Sequence, residues 1–113
     1  MTVLERYNAA LDEQAARMLE EAENASQAGD ERRRSLFLMQ ASMLGDMLKA
    51  LGRVEHTHAR TGILQAQIDS FTAQAAVQEN RGDYDAADQA RVKADTIRWA
   101  LHILRLLEAD GDE

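Results

Sequence analysis

The sequence predicts an all-α protein, an antiparallel four-helix up-down bundle made of two long helical hairpins that pair into a dimer. Three observations carry this expectation. No Pro occurs in the 113 residues. Ala, Leu, Glu, Gln, Arg and Met dominate, the residues that lose least on entering a helix. Two of the six Gly stand in matching contexts, Ala28-Gly29-Asp30 and Arg81-Gly82-Asp83. In each, Gly suits the left-handed position after one helix and Asp suits the cap of the next. The two turns lie 53 residues apart, which sets two hairpins side by side, and short connections make sequential helices antiparallel neighbours.

The first helix is expected over 3–28 and presents mainly Ala and Gln. The second, over 30–58, carries Leu36, Phe37, Met39, Met43, Leu44, Met47, Leu48, Ala50, Leu51 and Val54 on an arc of about 200°, where a surface helix usually needs little more than 100°. Ala41, Gly45 and Gly52 edge that arc. An interior Gly costs about 1 kcal/mol relative to Ala, so they predict a close approach by another backbone. A break falls between Gly52 and Gly62, with Thr61 as the cap of a third helix over 62–81. The fourth, over 83–109, places Ala87, Ala90, Ala94, Ile97, Leu101 and Leu104 on one stripe facing the bundle. One domain over 1–109 and a frayed acidic tail over 110–113 complete the expected organisation.

Helix 4 also carries a second apolar set, Val92, Trp99, Ile103, Leu106 and Leu107, on its other side. Large apolar patches seldom stay in water on a monomer. The surplus therefore predicts a contact surface for a partner or a second copy, centred on Trp99, Ile103 and Leu106 with Val92, Leu38 and Met39. A two-fold homodimer is the commonest closed assembly.

Several functions are disfavoured by composition. With no Cys there is no disulfide, thiolate nucleophile or Cys-ligated zinc. The N-terminus has no apolar core of a leader, and the longest strongly apolar run is Leu36 to Met39, so the chain reads as cytoplasmic with no membrane partner. The net charge of −7 is spread evenly and disfavours direct nucleic-acid binding. Arg outnumbers Lys 11 to 2 and Ala occurs 20 times, a bias shared by proteins of GC-rich bacterial and phage genomes. The basic run Arg32, Arg33 and Arg34 opposes the dipole of helix 2, so it is expected to pair with Glu20, Glu21, Glu23 and Glu31.

The motifs point to binding. Gly82, Tyr84, Ala87 and Ala94 have a spacing that resembles the elbow of a tetratricopeptide repeat, but Gln74, Ala75 and Gln78 depart from that pattern, leaving a capped turn as the reading. Asp83, Asp85 and Asp88 lack the spacing of a calcium loop and suit the first turn of helix 4. Glu55-His56-Thr57-His58 contains a Glu-x-x-His that resembles half of the ligand set of ferritin-like di-iron proteins. That resemblance implies a metal site on Glu5, Glu55 and His58 as the alternative. Glu20 and Glu23 resemble the first acidic pair of all-α nucleotide pyrophosphohydrolases, without its second. Ser26, Ser35, Ser42 and Ser70 have no nucleophile elbow or base. The expectation is a small acidic interaction module, scaffold, regulator or inhibitor, with no cofactor and no catalysis, acting on another protein.

Overall fold

The computed structural model describes residues 2–51 and 57–110 as four helices, α1 (Val3–Gln27), α2 (Glu31–Leu51), α3 (Thr57–Asn80) and α4 (Tyr84–Asp110). No strand occurs among the described residues. Helices α1 and α2 pack together, as do α3 and α4, and α4 also touches both α1 and α2. The molecule measures 46 × 34 × 21 Å, and its smallest dimension is about two helix diameters. No described helix is long and apolar enough to cross a membrane.

Both elbows are built by the same local chemistry. Gly29 takes φ 76° and Gly82 takes φ 80°, a region Gly enters without the Cβ clash that other residues meet. Asp30 N–H then reaches back to the carbonyl of Ala25 and Gly29 N–H to that of Ser26; Asp83 and Gly82 repeat these bonds to Gln78 and Glu79. Each Asp also starts the next helix. Asp30 Oδ1 accepts from Arg33 N–H and Asp83 Oδ1 from Ala86 N–H, both at 3.1 Å. One Gly-Asp pair thus satisfies orphan carbonyls of the outgoing helix and an orphan amide of the incoming one. At the chain start Thr2 Oγ1 caps α1 by accepting from Glu5 N–H.

The core repeats at a step of 53 residues. Leu11, Ala22, Ala41, Leu44 and Met47 are buried, and so are Leu64, Ala75, Ala94, Ile97 and Ala100. Tyr7 and Arg60, the next pair in the series, are 0% and 1% exposed. Equivalent residues also meet each other. The Arg60 guanidinium lies 5.6 Å from the Tyr7 ring centre, and Arg32 reaches Asp85 at 3.7 Å. Hairpins related by translation, as in a repeat array, would not bring equivalents together.

Four expectations need correction. Helix α3 already begins at Thr57, so Thr61 and Gly62 lie inside a helix and not at its start; α2 is described to Leu51, and the stretch 52–56 of its expected span lies outside the described residues. Packing decides this: starting early brings Arg60 and Leu64, one turn apart, into the core, which offsets the roughly 1 kcal/mol of an interior Gly. Gly45 has no close neighbour, since an added Cβ would meet nothing within 4 Å; Gly52 lies outside the described residues, as do residues 53–56 and 111–113. Helix α1 is more than an Ala and Gln cover, because Tyr7 and Leu11 are buried at the centre of the core. Finally, Arg32 pairs with Asp88 at 2.7 Å and Asp85 at 3.7 Å, on the neighbouring α4. Of the four glutamates expected to neutralise the basic run, only Glu31 does so among the described residues, toward Arg34 at 3.7 Å. Acids at the start of α4 suit its own dipole and, across the seam, offset the cations that oppose that of α2.

Candidate functional site

The inner stripe of α4 is fully used. Ala87, Ala90, Ala94, Ile97, Leu101 and Leu104 are all buried. Its second apolar side is covered only in part. Trp99, Ile103 and Leu107 are half-buried against the core, Val92 is half-buried, and Leu106 stays 51% exposed. Trp99 stands over a cleft of about 270 Å³, walled by Gln14 and Met18 of α1, Phe37, Gln40 and Leu44 of α2, and Asp95 and Thr96 of α4. Thr96 hides its hydroxyl by donating to the Val92 carbonyl at 2.8 Å, and Asp95 is held by Arg98 at 2.7 Å. The floor is therefore apolar and the polar rim is mostly neutral glutamine. Phe37 and Gln40 reach this cleft from α2; Leu38 and Met39 are half-buried but do not line it.

A second cleft, of about 290 Å³, occupies the related position between α2, α3 and α4. Six of its seven wall residues are 53-residue equivalents of walls of the first: Gln67 for Gln14, Phe71 for Met18, Lys93 for Gln40, Ile97 for Leu44, Met43 for Thr96 and Asp46 for Trp99. The two clefts differ in chemistry. Lys93 lies 5.7 Å from the Phe71 ring centre and offers it a cation, and a carboxylate replaces the indole. Only the first cleft offers an accessible aromatic without a charged cover.

The other sequence candidates separate. Glu5 is exposed and its carboxylate accepts from the Thr2 hydroxyl at 3.1 Å, at the cap of α1. Glu55, its metal partner by resemblance, lies outside the described residues, as does the side chain of His58. Among the described residues no group of three His, Asp or Glu is placed to hold a metal ion. Arg33 lies 5.7 Å from the Phe37 ring centre, and His102 lines a shallow groove with Gln65, Arg98 and Arg105.

One cluster escaped the sequence reading. Arg60 Nη1 donates to Asn8 Oδ1 at 3.0 Å while its guanidinium stacks on Tyr7. Burial lowers the Arg60 pKa, and the nearby Tyr7 opposes that shift. The Tyr7 hydroxyl meets no hydrogen-bond partner among the described residues, and burial pushes its pKa up to about 12 despite the cation beside it. A signal was present: Arg60, Leu64, Ile68, Phe71 and Ala75 keep 4-4-3-4 spacing, so Arg60 heads an apolar row.

No protein-family model, curated protein or solved structure matches this chain.

Proposed function

We propose that this chain is a small acidic interaction module that works by binding another protein, as scaffold, regulator or inhibitor, and that two copies associate. The hairpins are then the halves of an antiparallel up-down bundle, an order favoured by the short Gly-Asp elbows. One observation carries the reading: the single Trp is held half in the core over an open apolar cleft, while the equivalent cleft has Asp46 and Lys93 instead. Large aromatic anchors beside water-excluding pockets supply most of the energy of protein contacts. Ile103 and Leu106 extend the same side of α4. The net charge of −7 adds a field that speeds encounter with a basic partner surface.

Affinity capture from the native host, read by mass spectrometry, tests the reading against Trp99→Glu. The wild type is expected to enrich a defined partner, with at least a tenfold loss in the variant (about 1.4 kcal/mol) while circular dichroism keeps its helical signal. Equal capture by a folded Trp99→Glu would remove the cleft from the contact. The solution mass at tens of micromolar is expected to be that of two chains.

A further inference from the structure

We propose that a second copy of this chain docks on the outer face of the first hairpin, around Leu19, Leu38 and Gly45, leaving the Trp99 cleft free for a different partner. The proposal rests on the dimer reading above and assigns it a surface. On the second hairpin, the groove between α3 and α4 is bridged. Arg91 pairs with Glu79 across it, and Arg98 donates to Thr72 at 3.1 Å while pairing with Asp95 at 2.7 Å. The equivalent positions of the first hairpin hold Leu38 for Arg91, Ser26 for Glu79, Gly45 for Arg98, Leu19 for Thr72 and Ser42 for Asp95. The frame is the same and its charged cover is missing.

What replaces that cover is apolar and open. Leu19 is 54% exposed, the largest exposure of any leucine among the described residues. Gly45 has no neighbour within 4 Å of an added Cβ, so the small residue answers to nothing inside the molecule. At 100° per residue, Leu38, Ser42, Gly45 and Lys49 share an arc of about 60° on α2, as do Asp12, Leu19, Glu23 and Ser26 on α1. These stripes form one face.

The charges on this face complement the face itself. Asp12 and Glu23 stand on the α1 side, and Lys49 and Arg34, the latter also reaching Glu31 of its own helix at 3.7 Å, on the α2 side. A two-fold axis along the helices would lay α1 of one copy over α2 of the other. Residues equally far from the Gly29 elbow then meet: Leu19 is ten before it and Leu38 nine after, Glu23 six before and Arg34 five after. Leucine faces leucine and acid faces base in the same register. A chain of charge −7 repels its copy elsewhere, so a surface with alternating sign is where self-association costs least.

Sedimentation equilibrium of the full chain tests this with Leu38→Arg/Gly45→Arg, which installs the second hairpin's arginines at the matching places of the first. The dimer dissociation constant is expected to rise about thirtyfold or more, as for loss of a central contact, with helical signal and thermal midpoint kept. Glu23→Arg and Arg34→Glu should each weaken the dimer, and the two together should restore it. Trp99→Glu should leave it unchanged. A folded Leu38→Arg/Gly45→Arg that dimerises like the wild type overturns the proposal, and so does dissociation by Trp99→Glu alone, which would keep the dimer but move its surface. A monomeric wild type would remove the dimer reading and this surface together.

Discussion

The first hairpin buries Tyr7, Leu11, Ala22, Ala41, Leu44 and Met47, and the second buries Arg60, Leu64, Ala75, Ala94, Ile97 and Ala100 at the same steps from a Gly-Asp elbow. Their outer faces have gone separate ways, one tied across its groove by Arg91 and Arg98, the other left with Leu19, Leu38 and Gly45. Buried positions answer to a shared core, where a change of one methylene is felt. Exposed positions answer to whatever meets them. When a frame is used twice, exposed positions where the copies disagree stand out from those that packing dictates, and here they include the Trp99 cleft and the outer face of the first hairpin.

The sharpest way to break the equivalence is through the core. Leu44 and Ile97 are each 1% exposed and stand at matching positions beside the α2 to α4 seam. Leu44→Ala and Ile97→Ala should each cost about 2–5 kcal/mol, the usual range for deleting a buried aliphatic side chain, and should agree within about 1 kcal/mol if the sites collapse alike. Urea unfolding at equal concentration measures both. A large loss in one and almost none in the other would show that only one hairpin holds the core.

Tyr7 and Arg60 mark a place inside the core where the halves meet through unlike chemistry. A phenol buried without a hydrogen bond favours its neutral form, so its pKa rises, first through burial and against the pull of Arg60. A raised value in the folded state supports the fold below pH 10, the ordinary phenol value, and loses that support as pH climbs through about 12. Two units correspond to roughly 2–3 kcal/mol. In Tyr84→Phe, Tyr7 is the last tyrosine, so tyrosinate absorbance reports it alone. Ionisation is expected to coincide with loss of the helical dichroism; a phenolate formed near pH 10 in a folded chain would contradict the burial.

Much of the fold was legible because its signals are local. The Gly-Asp elbows need only their own residues and the carbonyls just before them, and the inner stripe of α4 needs only its period. What was not legible depends on meetings far apart in the chain. Nothing near Arg60 announces Tyr7, and nothing near Arg32 announces Asp88, 56 residues on. The start of α3 at Thr57, through Gly62, follows from the same cause, because the core's demand for Arg60 and Leu64 overrides a local preference for a break. The candidate site divides the same way. The surplus on α4 that singled out Trp99 is a property of one helix, while the opposite walls of its cleft, Met18 and Phe37, come from the other hairpin and follow from no period within α4.

The smallest expected effect tests the elbows, where the hairpins should be most alike. Gly29 and Gly82 have φ of 76° and 80°, and an added Cβ would meet no atom within 4 Å at either. Space is therefore not what excludes a side chain; backbone conformation is. Ala in the left-handed region costs about 1–2 kcal/mol, and part of this is returned because Ala restricts the unfolded chain by about 0.4–1 kcal/mol. The net loss for Gly29→Ala and for Gly82→Ala should be about 1 kcal/mol each, with the two values equal within measurement. Asn, which tolerates this conformation better, should cost less than Ala at both sites. Equal losses would mean that the turns act as interchangeable parts. A loss several times larger at one elbow would mean that the bonds from Asp30 or Asp83 support more than their own turn, and that the repeated frame is weaker at its ends than in its core.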